Sequence, residues 1–244
     1  MDVNGKVALL TGGTRVGAGV AKTLARQGAH LVLTWRRSKD AALAIQRDIR
    51  ERGGEALLLK ADLSNPGAIP PLVRAIERSL GRLDILINMA SLYETVPFER
   101  SPRTWQKNLD VDLRSAYLLA HAAAPLMKKQ GAGRIINFSD WTAVSHRPRY
   151  KNLLPYYVAK SGVIGLTEGL ALELSPEILV NAVAPGPILA PPGSTAEELK
   201  AVRQATPLGR WGGVEEISKT VLFLIETDFV TGECIRVDGG RHLL

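Results

Sequence analysis

Cysteine is nearly absent from this chain. Cys234 is the only one in 244 residues, so no internal disulfide can form and a cysteine-based metal site is implausible. His146, isolated in a basic loop, gives no ground for a metal either. Long apolar runs are also lacking: the longest are too short or too interrupted to span a membrane. No signal peptide is visible, because Met-Asp-Val-Asn-Gly-Lys at the N-terminus leads directly into a strand. The chain is therefore expected to be cytoplasmic. There is no internal repeat, low-complexity tract or long linker, which predicts one domain over residues 1–244. No nucleic-acid motif accompanies the formal charge of +7 and the pI near 9.7. Basic residues are dispersed, with concentrations at Arg36-Arg37 and from His146 to Lys151. An anionic cofactor or substrate accounts for those two clusters, and an ordinary solvated surface for the rest. Neither nucleic acid nor membrane is an expected partner.

What is present is apolar residues in quantity and a strict alternation. Hydrophobic residues make up 45% of the chain and mean hydropathy is +0.02, enough apolar content for a large core. Strands are predicted over 6–11, 30–34, 56–60, 84–87, 134–138, 178–184 and 233–237. Helices are predicted over 16–27, 39–52, 65–80, 102–130, 155–174, 194–204 and 214–226, the fourth of these bent near Pro125. Such alternation predicts an α/β fold, a Rossmann-type doubly wound parallel sheet of about seven strands. Ligands in these sheets bind beyond the carboxyl ends of the strands. Those ends carry Thr11-Gly-Gly, Thr34 to Ser38, Asp62, Asn88, Ser139-Asp140 and Pro185-Gly186, which should converge on one rim. Small residues on two helices, Ala116, Ala120 and Ala123 and then Gly162, Gly165 and Gly169, suggest either subunit packing or burial within the domain.

Three local patterns carry chemistry. Tyr156 and Lys160 lie four apart after Pro155, so a helix opened by the proline shows both side chains on one face. An ammonium beside a phenol is expected to lower a pKa normally near ~10; the alternative is an ordinary surface pair. The run Thr11-Gly-Gly-Thr-Arg-Val-Gly-Ala-Gly19 follows a strand and opens a helix, the setting in which a pyrophosphate rests on a helix N-terminus. After the second strand, where an NAD site expects an acid, the chain reads Thr34-Trp-Arg-Arg-Ser38. Arg36, Arg37 and Ser38, with Arg15 able to join them, suit a 2′-phosphate and favour NADP(H) over NAD(H); the alternative is a basic loop without a ligand.

With these patterns in place, the chain resembles the short-chain dehydrogenase/reductase family over essentially its whole length. The resemblance rests on the glycine loop, Asp62-Leu63, Asn88-Met-Ala-Ser91, Asn137-Phe-Ser-Asp140, Tyr156-x-x-x-Lys160, Pro185-Gly186, and Thr231-Gly-Glu with Val-Asp-Gly-Gly240. Within the family it is most similar to the pteridine-reductase-like branch. Asp140 stands where the family usually has a catalytic serine, the glycine loop resembles Thr-Gly-x-x-x-Arg-x-Gly with one residue missing, and Trp35 to Ser38 resembles a Tyr-His-Arg-Ser segment. Either Gly17 or Gly19 is the matching glycine.

The resemblance implies hydride transfer with NADP(H), and a dimer or tetramer. It implies catalytic roles for Asp140, Tyr156 and Lys160, with Asp112 in the place of a helix asparagine; Asp112 is expected to pair directly with Lys160, and Asn108 is a weaker substitute. Carried over motif by motif, it implies cofactor contacts from Gly13, Arg15, Val16, Gly17, Arg36, Arg37, Ser38, Asp62, Leu63, Asn88, Ala90, Tyr156, Lys160, Pro185, Gly186 and Ile188. The expected activity is reduction of a C=N or C=O group in a small-molecule substrate. Reduction of a 3-oxoacyl thioester or another carbonyl is the alternative, and a catalytically silent NADP(H)-binding sensor is a second. The stretch between Asp140 and Tyr156 exceeds the family's usual spacing, and its residues 146–151 are either a clamp for an anionic substrate or an exposed loop. Trp211 is expected to anchor a loop and Cys234 to be buried.

Overall fold

A computed structural model describes all residues from Met1 to Leu244. Seven strands form one parallel sheet: β1 (Val7–Thr11), β2 (His30–Trp35), β3 (Glu55–Lys60), β4 (Ile85–Asn88), β5 (Gly133–Phe138), β6 (Ile178–Pro185) and β7 (Cys234–Val237), in the order β3-β2-β1-β4-β5-β6-β7. The chain runs outward from β1 to β3, returns to β4 beside β1, and continues outward on the other side. That reversal opens a crevice between the ends of β1 and β4, the usual ligand position in doubly wound sheets.

Side-chain alternation along β1 explains why the sheet needs cover on both faces. Ala8 and Leu10 join a core with helices α1 (Val16–Arg26), α2 (Lys39–Glu51) and α9 (Val214–Glu226). Val7 and Leu9 face the opposite way, into a core with α3 (Ile69–Leu80), α5 (Ser115–Lys129) and the end of α7 (Leu154–Leu174). A strand buried on both faces reads as a continuous apolar run, as β1 does. Local signals fix the helix ends. Gly81 takes φ +70 to stop α3. Thr195 and Glu198 form a reciprocal capping box at the start of α8 (Ala196–Gln204). Pro155 falls in the first turn of α7.

The long helix expected over 102–130 is interrupted. Regular α geometry holds in α4 (Pro102–Asn108) and α5, but Leu109–Arg114 between them is π-helical. The departure is there and not at Pro125, which lies within α5. A π segment inserts a residue into the helical register and re-aims its side chains. Here it carries Asp112 into the interior, where Asp112 is 3% exposed. The helix expected from residue 65 begins instead with a 3-10 turn, Pro66–Ala68, capped by the Asn65 side chain. A four-residue helix after β5, α6 (Trp141–Val144), was not expected from the sequence. Of the small residues, Ala116, Ala120 and Ala123 are buried inside the domain. Gly165 and Gly169 on α7 face open space.

Candidate active site

Two connected hollows lie along the carboxyl ends of the strands. The smaller, about 320 Å³, is lined by Gly13, Trp35, Arg36, Arg37, Ser38, Asp62, Leu63 and Ala90 among others. The larger, about 1150 Å³, is lined by Arg15, Val16, Gly17, Asp140, Tyr156, Pro185, Gly186 and Ile188 among others. Gly12, Thr14 and Ser91 belong to both, so the glycine turn is the bridge between them. Fourteen of the sixteen expected cofactor positions therefore border one continuous groove. Asn88 and Lys160 lie beneath it, each nearly buried.

The glycine turn is fixed by β4. Thr11 Oγ1 accepts the main-chain N–H groups of Met89 and Ala90, both at 3.1 Å. Gly12 has φ +71, and a Cβ there would lie 2.7 Å from the Met89 carbonyl oxygen. A Cβ on Gly17 would lie 2.5 Å from the Gly12 oxygen, whereas one on Gly19 would strike Val214 in α9. Gly17 is thus the glycine that the turn requires, and Gly19 serves the α1–α9 crossing. At the β2 end, Arg36 pairs with Asp62 at 3.5 Å, while Arg37 and Ser38 are exposed. The Asp62 carboxyl is held below its usual range chiefly by the Ser64 hydroxyl, with Arg36 contributing.

Arg15 does not join that cluster. Its guanidinium donates to the carbonyls of Ala190 at 2.8 Å and Leu189 at 3.4 Å, on the loop after β6. Arg15, with a positive φ of 52, lines the large cleft and not the hollow that holds Arg37.

At the floor of the large cleft, two carboxylates and two donors interlock. Asp140 lies two residues beyond β5 and caps α6. Its Oδ1 accepts from the Thr142 N–H at 2.8 Å and the Thr142 hydroxyl at 2.6 Å. Its Oδ2 accepts from the Tyr156 hydroxyl at 2.9 Å. One turn along α7, Lys160 Nζ lies 3.2 Å from Asp112 Oδ1 and donates to the Phe138 carbonyl at 2.9 Å. Asp112 also accepts from the Ser91 hydroxyl and, at 3.0 Å, from the Leu92 N–H. Ser139 Oγ donates to the Lys160 carbonyl at 2.8 Å, tying α7 to the end of β5. The direct Asp112–Lys160 pair is thus present. Asn108 instead donates to the Leu92 carbonyl at 2.8 Å.

The expected lowering of the Tyr156 pKa is reversed. Burial first, then the adjacent Asp140 carboxylate and its hydrogen bond, and then Asp112, push the phenol well above its ordinary value. Lys160 lies 5.7 Å from the phenol ring centre, but its charge faces Asp112. A buried cation already matched by a carboxylate does little to favour a second anion. Tyr156 is accordingly a protonated phenol that donates its hydrogen bond to Asp140.

Several lining residues were outside the expected set. Tyr93 packs edge-on to Tyr156 with ring centres 4.9 Å apart. Ser91 holds Asp112. Trp141, Arg149, Tyr150, Lys151 and Arg241 wall the outer cleft. The basic run from 146 signalled part of that wall, but nothing local ties Arg241 to it across more than ninety residues. Trp211 also lines the cleft, with its indole nitrogen buried and without a protein partner. Cys234 is half-buried, and burial pushes its thiol up to about 12.

Comparison with known proteins agrees with this architecture. A family profile described as Enoyl-(Acyl carrier protein) reductase matches residues 14–242. The chain is 36% identical to the 3-oxoacyl-[acyl-carrier-protein] reductase of Synechocystis sp., over 96% of each chain. It is 31% identical to the corresponding FabG enzyme of Staphylococcus aureus, over 98% of each. Among solved structures, a short-chain dehydrogenase/reductase from Serratia marcescens superimposes with a TM-score of 0.91 at 32% identity, covering 99% of this chain and 100% of that one. A metagenomic blue fluorescent protein solved in complex with NADPH superimposes with a TM-score of 0.88 at 29% identity, covering 99% of each. The fold and site define an oxidoreductase built on a single Rossmann domain. The chain belongs to the short-chain dehydrogenase/reductase family. The pteridine-reductase-like branch suggested by Asp140 is not what these sequence relatives represent. No helix is long and apolar enough to cross a membrane.

Proposed function

We propose that this chain is an NADPH-dependent reductase of carbonyl compounds, with 3-oxoacyl thioesters as the leading substrate class. The observation that carries the reading is a protonated Tyr156 on the floor of a large cleft, next to the glycine turn. Full-length likeness to 3-oxoacyl-[acyl-carrier-protein] reductases supports this substrate class.

The residues at the groove fit a phosphorylated dinucleotide. Arg37 and Ser38 are exposed at the end of β2, Arg37 has no ion-pair partner, and no carboxylate of that strand end opposes a 2′-phosphate. Bound there, NADPH supplies the hydride. The turn from Gly13 to Gly17 would hold the pyrophosphate, Asp62 and Leu63 the adenine, and Pro185, Gly186 and Ile188 the carboxamide. Lys160, oriented by Phe138 and Asp112, would hold the ribose hydroxyls. Tyr156 donates its proton to the substrate oxygen as negative charge develops there, and Asp140 orients the phenol until then. General acid assistance of this kind is worth ~10²–10⁴-fold.

A second reading, reduction of a C=N bond in a pterin-like ring, is favoured by Asp140. An ionised carboxylate accepts from ring N–H groups, which the usual serine does less well. NADPH oxidation measured with a 3-oxoacyl thioester, a quinone, dihydropterin and dihydrofolate separates the two. Turnover of the thioester alone ends the pterin reading, and turnover of the pterins alone ends the thioester reading. Tight NADPH binding without turnover on any of them would leave the silent sensor. For the cofactor, Arg37→Ala is expected to raise the NADPH KM far more than the NADH KM; equal effects would remove the phosphate argument.

A further inference from the structure

We propose that Arg149 and Arg241, stacked about Trp141, form a recognition site for an oxyanion at the far end of the substrate, a phosphate or carboxylate on an extended arm. The proposal deepens the reductase reading and rests on it for the reaction that follows, but the site itself is argued from geometry.

The loop that carries Arg149 is built, not loose. His146 and Asn152 take positive φ values of 51 and 66 at its two ends. The Asn152 carbonyl accepts from the Val96 N–H at 2.7 Å, and the Arg147 N–H donates to the Thr142 carbonyl at 3.2 Å. Held this way, the Arg149 guanidinium lies 5.7 Å from the centre of the Trp141 ring. The Arg241 guanidinium lies 5.5 Å from the same ring. Tyr150 meets Trp141 edge-on at 6.5 Å. Trp141 follows Asp140 directly, and the cluster walls the same cleft as the reacting groups.

Neither guanidinium pairs with an Asp or Glu side chain, and Arg241 meets only neutral groups. Arg241 donates to the Val202 carbonyl at 3.0 Å, to Thr206 Oγ1 at 3.3 Å and to the Tyr150 hydroxyl at 3.4 Å. Arg149 donates to the terminal carboxylate of Leu244, the one anion at this cluster. The charged residues lining the cleft are Arg15, Lys151, Arg149 and Arg241 against Asp140 and Glu198. Asp140 is occupied by Thr142 and Tyr156, and Glu198 by its capping box with Thr195. The outer cleft therefore keeps an excess of positive charge. Two like charges on one ring repel, and an oxyanion bound beside them offsets that cost while taking directed hydrogen bonds. A cleft of about 1150 Å³ also exceeds what a small carbonyl compound fills, leaving room for an arm.

The test is a calorimetric titration of the full chain loaded with NADP⁺, using 4′-phosphopantetheine, pantetheine and p-aminobenzoylglutamate. An oxyanion probe is expected to bind at least about tenfold more tightly than neutral pantetheine, as charge-assisted hydrogen bonds imply. The probe that binds identifies the source, thioester arm or glutamate tail. The double variant Arg149→Gln with Arg241→Gln is expected to lose the preference. Lys128→Gln with Lys129→Gln, which removes the same charge elsewhere, is expected to keep it. Equal binding of all three probes, or a preference that survives in the arginine double variant, overturns the proposal. If that variant does not fold, the wild-type preference must shrink as salt rises from about 50 to 500 mM, and its persistence overturns the proposal instead. Binding without thioester turnover would leave the oxyanion site standing and remove only the assigned reaction.

Discussion

Tyr156 shows how far a residue's chemistry depends on who its neighbours pair with. Beside a free ammonium its phenol would ionise more readily; here the ammonium belongs to Asp112 and the phenol to Asp140. Both carboxylates raise the Tyr156 pKa, so removing either charge must lower it. Asp140→Asn and Asp112→Asn are each expected to move the alkaline limb of the reductive kcat/KM profile to lower pH. Asp112→Asn should do so doubly, since it also frees the Lys160 charge. A limb that does not move in either variant would reject this electrostatic account. Tyr156→Phe is expected to cost ~10²–10⁴-fold in turnover with NADPH binding intact; full activity would exclude the phenol as proton donor. At Cys234 the raised pKa predicts a sluggish thiol. Alkylation at pH 8 should be far slower in the folded chain than after denaturation, and comparable rates would contradict the burial.

At the scale of elements, two features of the helices set the site. The π-helical turn of Leu109–Arg114 delivers Asp112 inward, where a regular helix would have kept a different register. The crossing of α1 on α9 is set by Gly19, where a Cβ would lie 2.1 Å from Val214 Cγ1. Gly19→Ala is therefore expected to destabilise by about 1–3 kcal/mol through overpacking. That is a fall of several degrees in Tm for a chain of this size. Val214→Ala in the same chain should recover much of the loss, giving a coupling that a thermal double-mutant cycle reads directly. Strictly additive losses would mean that the two helices do not meet as described. Gly165 and Gly169 on α7 have no such intramolecular neighbour.

For the whole molecule, those open glycines join exposed Tyr117, Leu172, Phe223 and Phe229 as apolar surface that the monomer leaves uncovered. A dimer or tetramer of the 26.4 kDa chain is the proposed assembly. Sedimentation at micromolar concentration should give two or four times that mass, and a monomer would refute it. The net charge of +7 acts at the same scale. It favours approach of an anionic cofactor and substrate, so kcat/KM should fall with ionic strength.

Much of this was legible in the residues themselves. Apolar runs alternating with amphipathic stretches dictated a parallel sheet, because a strand with no polar face must be covered on both sides. The strand ends then placed the glycine turn, Asp62, Asp140 and Pro185 on one rim, because in such a sheet all carboxyl ends point the same way. Tertiary structure alone decided the sign of the Tyr156 shift, the partner of Arg15, the choice of Gly17 over Gly19 and the placing of Arg149 and Arg241 on one tryptophan. Each of these depends on the distance between groups far apart in the chain and on their burial. Coulombic and steric energies follow separation in space, which spacing along the sequence does not encode until the sheet has closed.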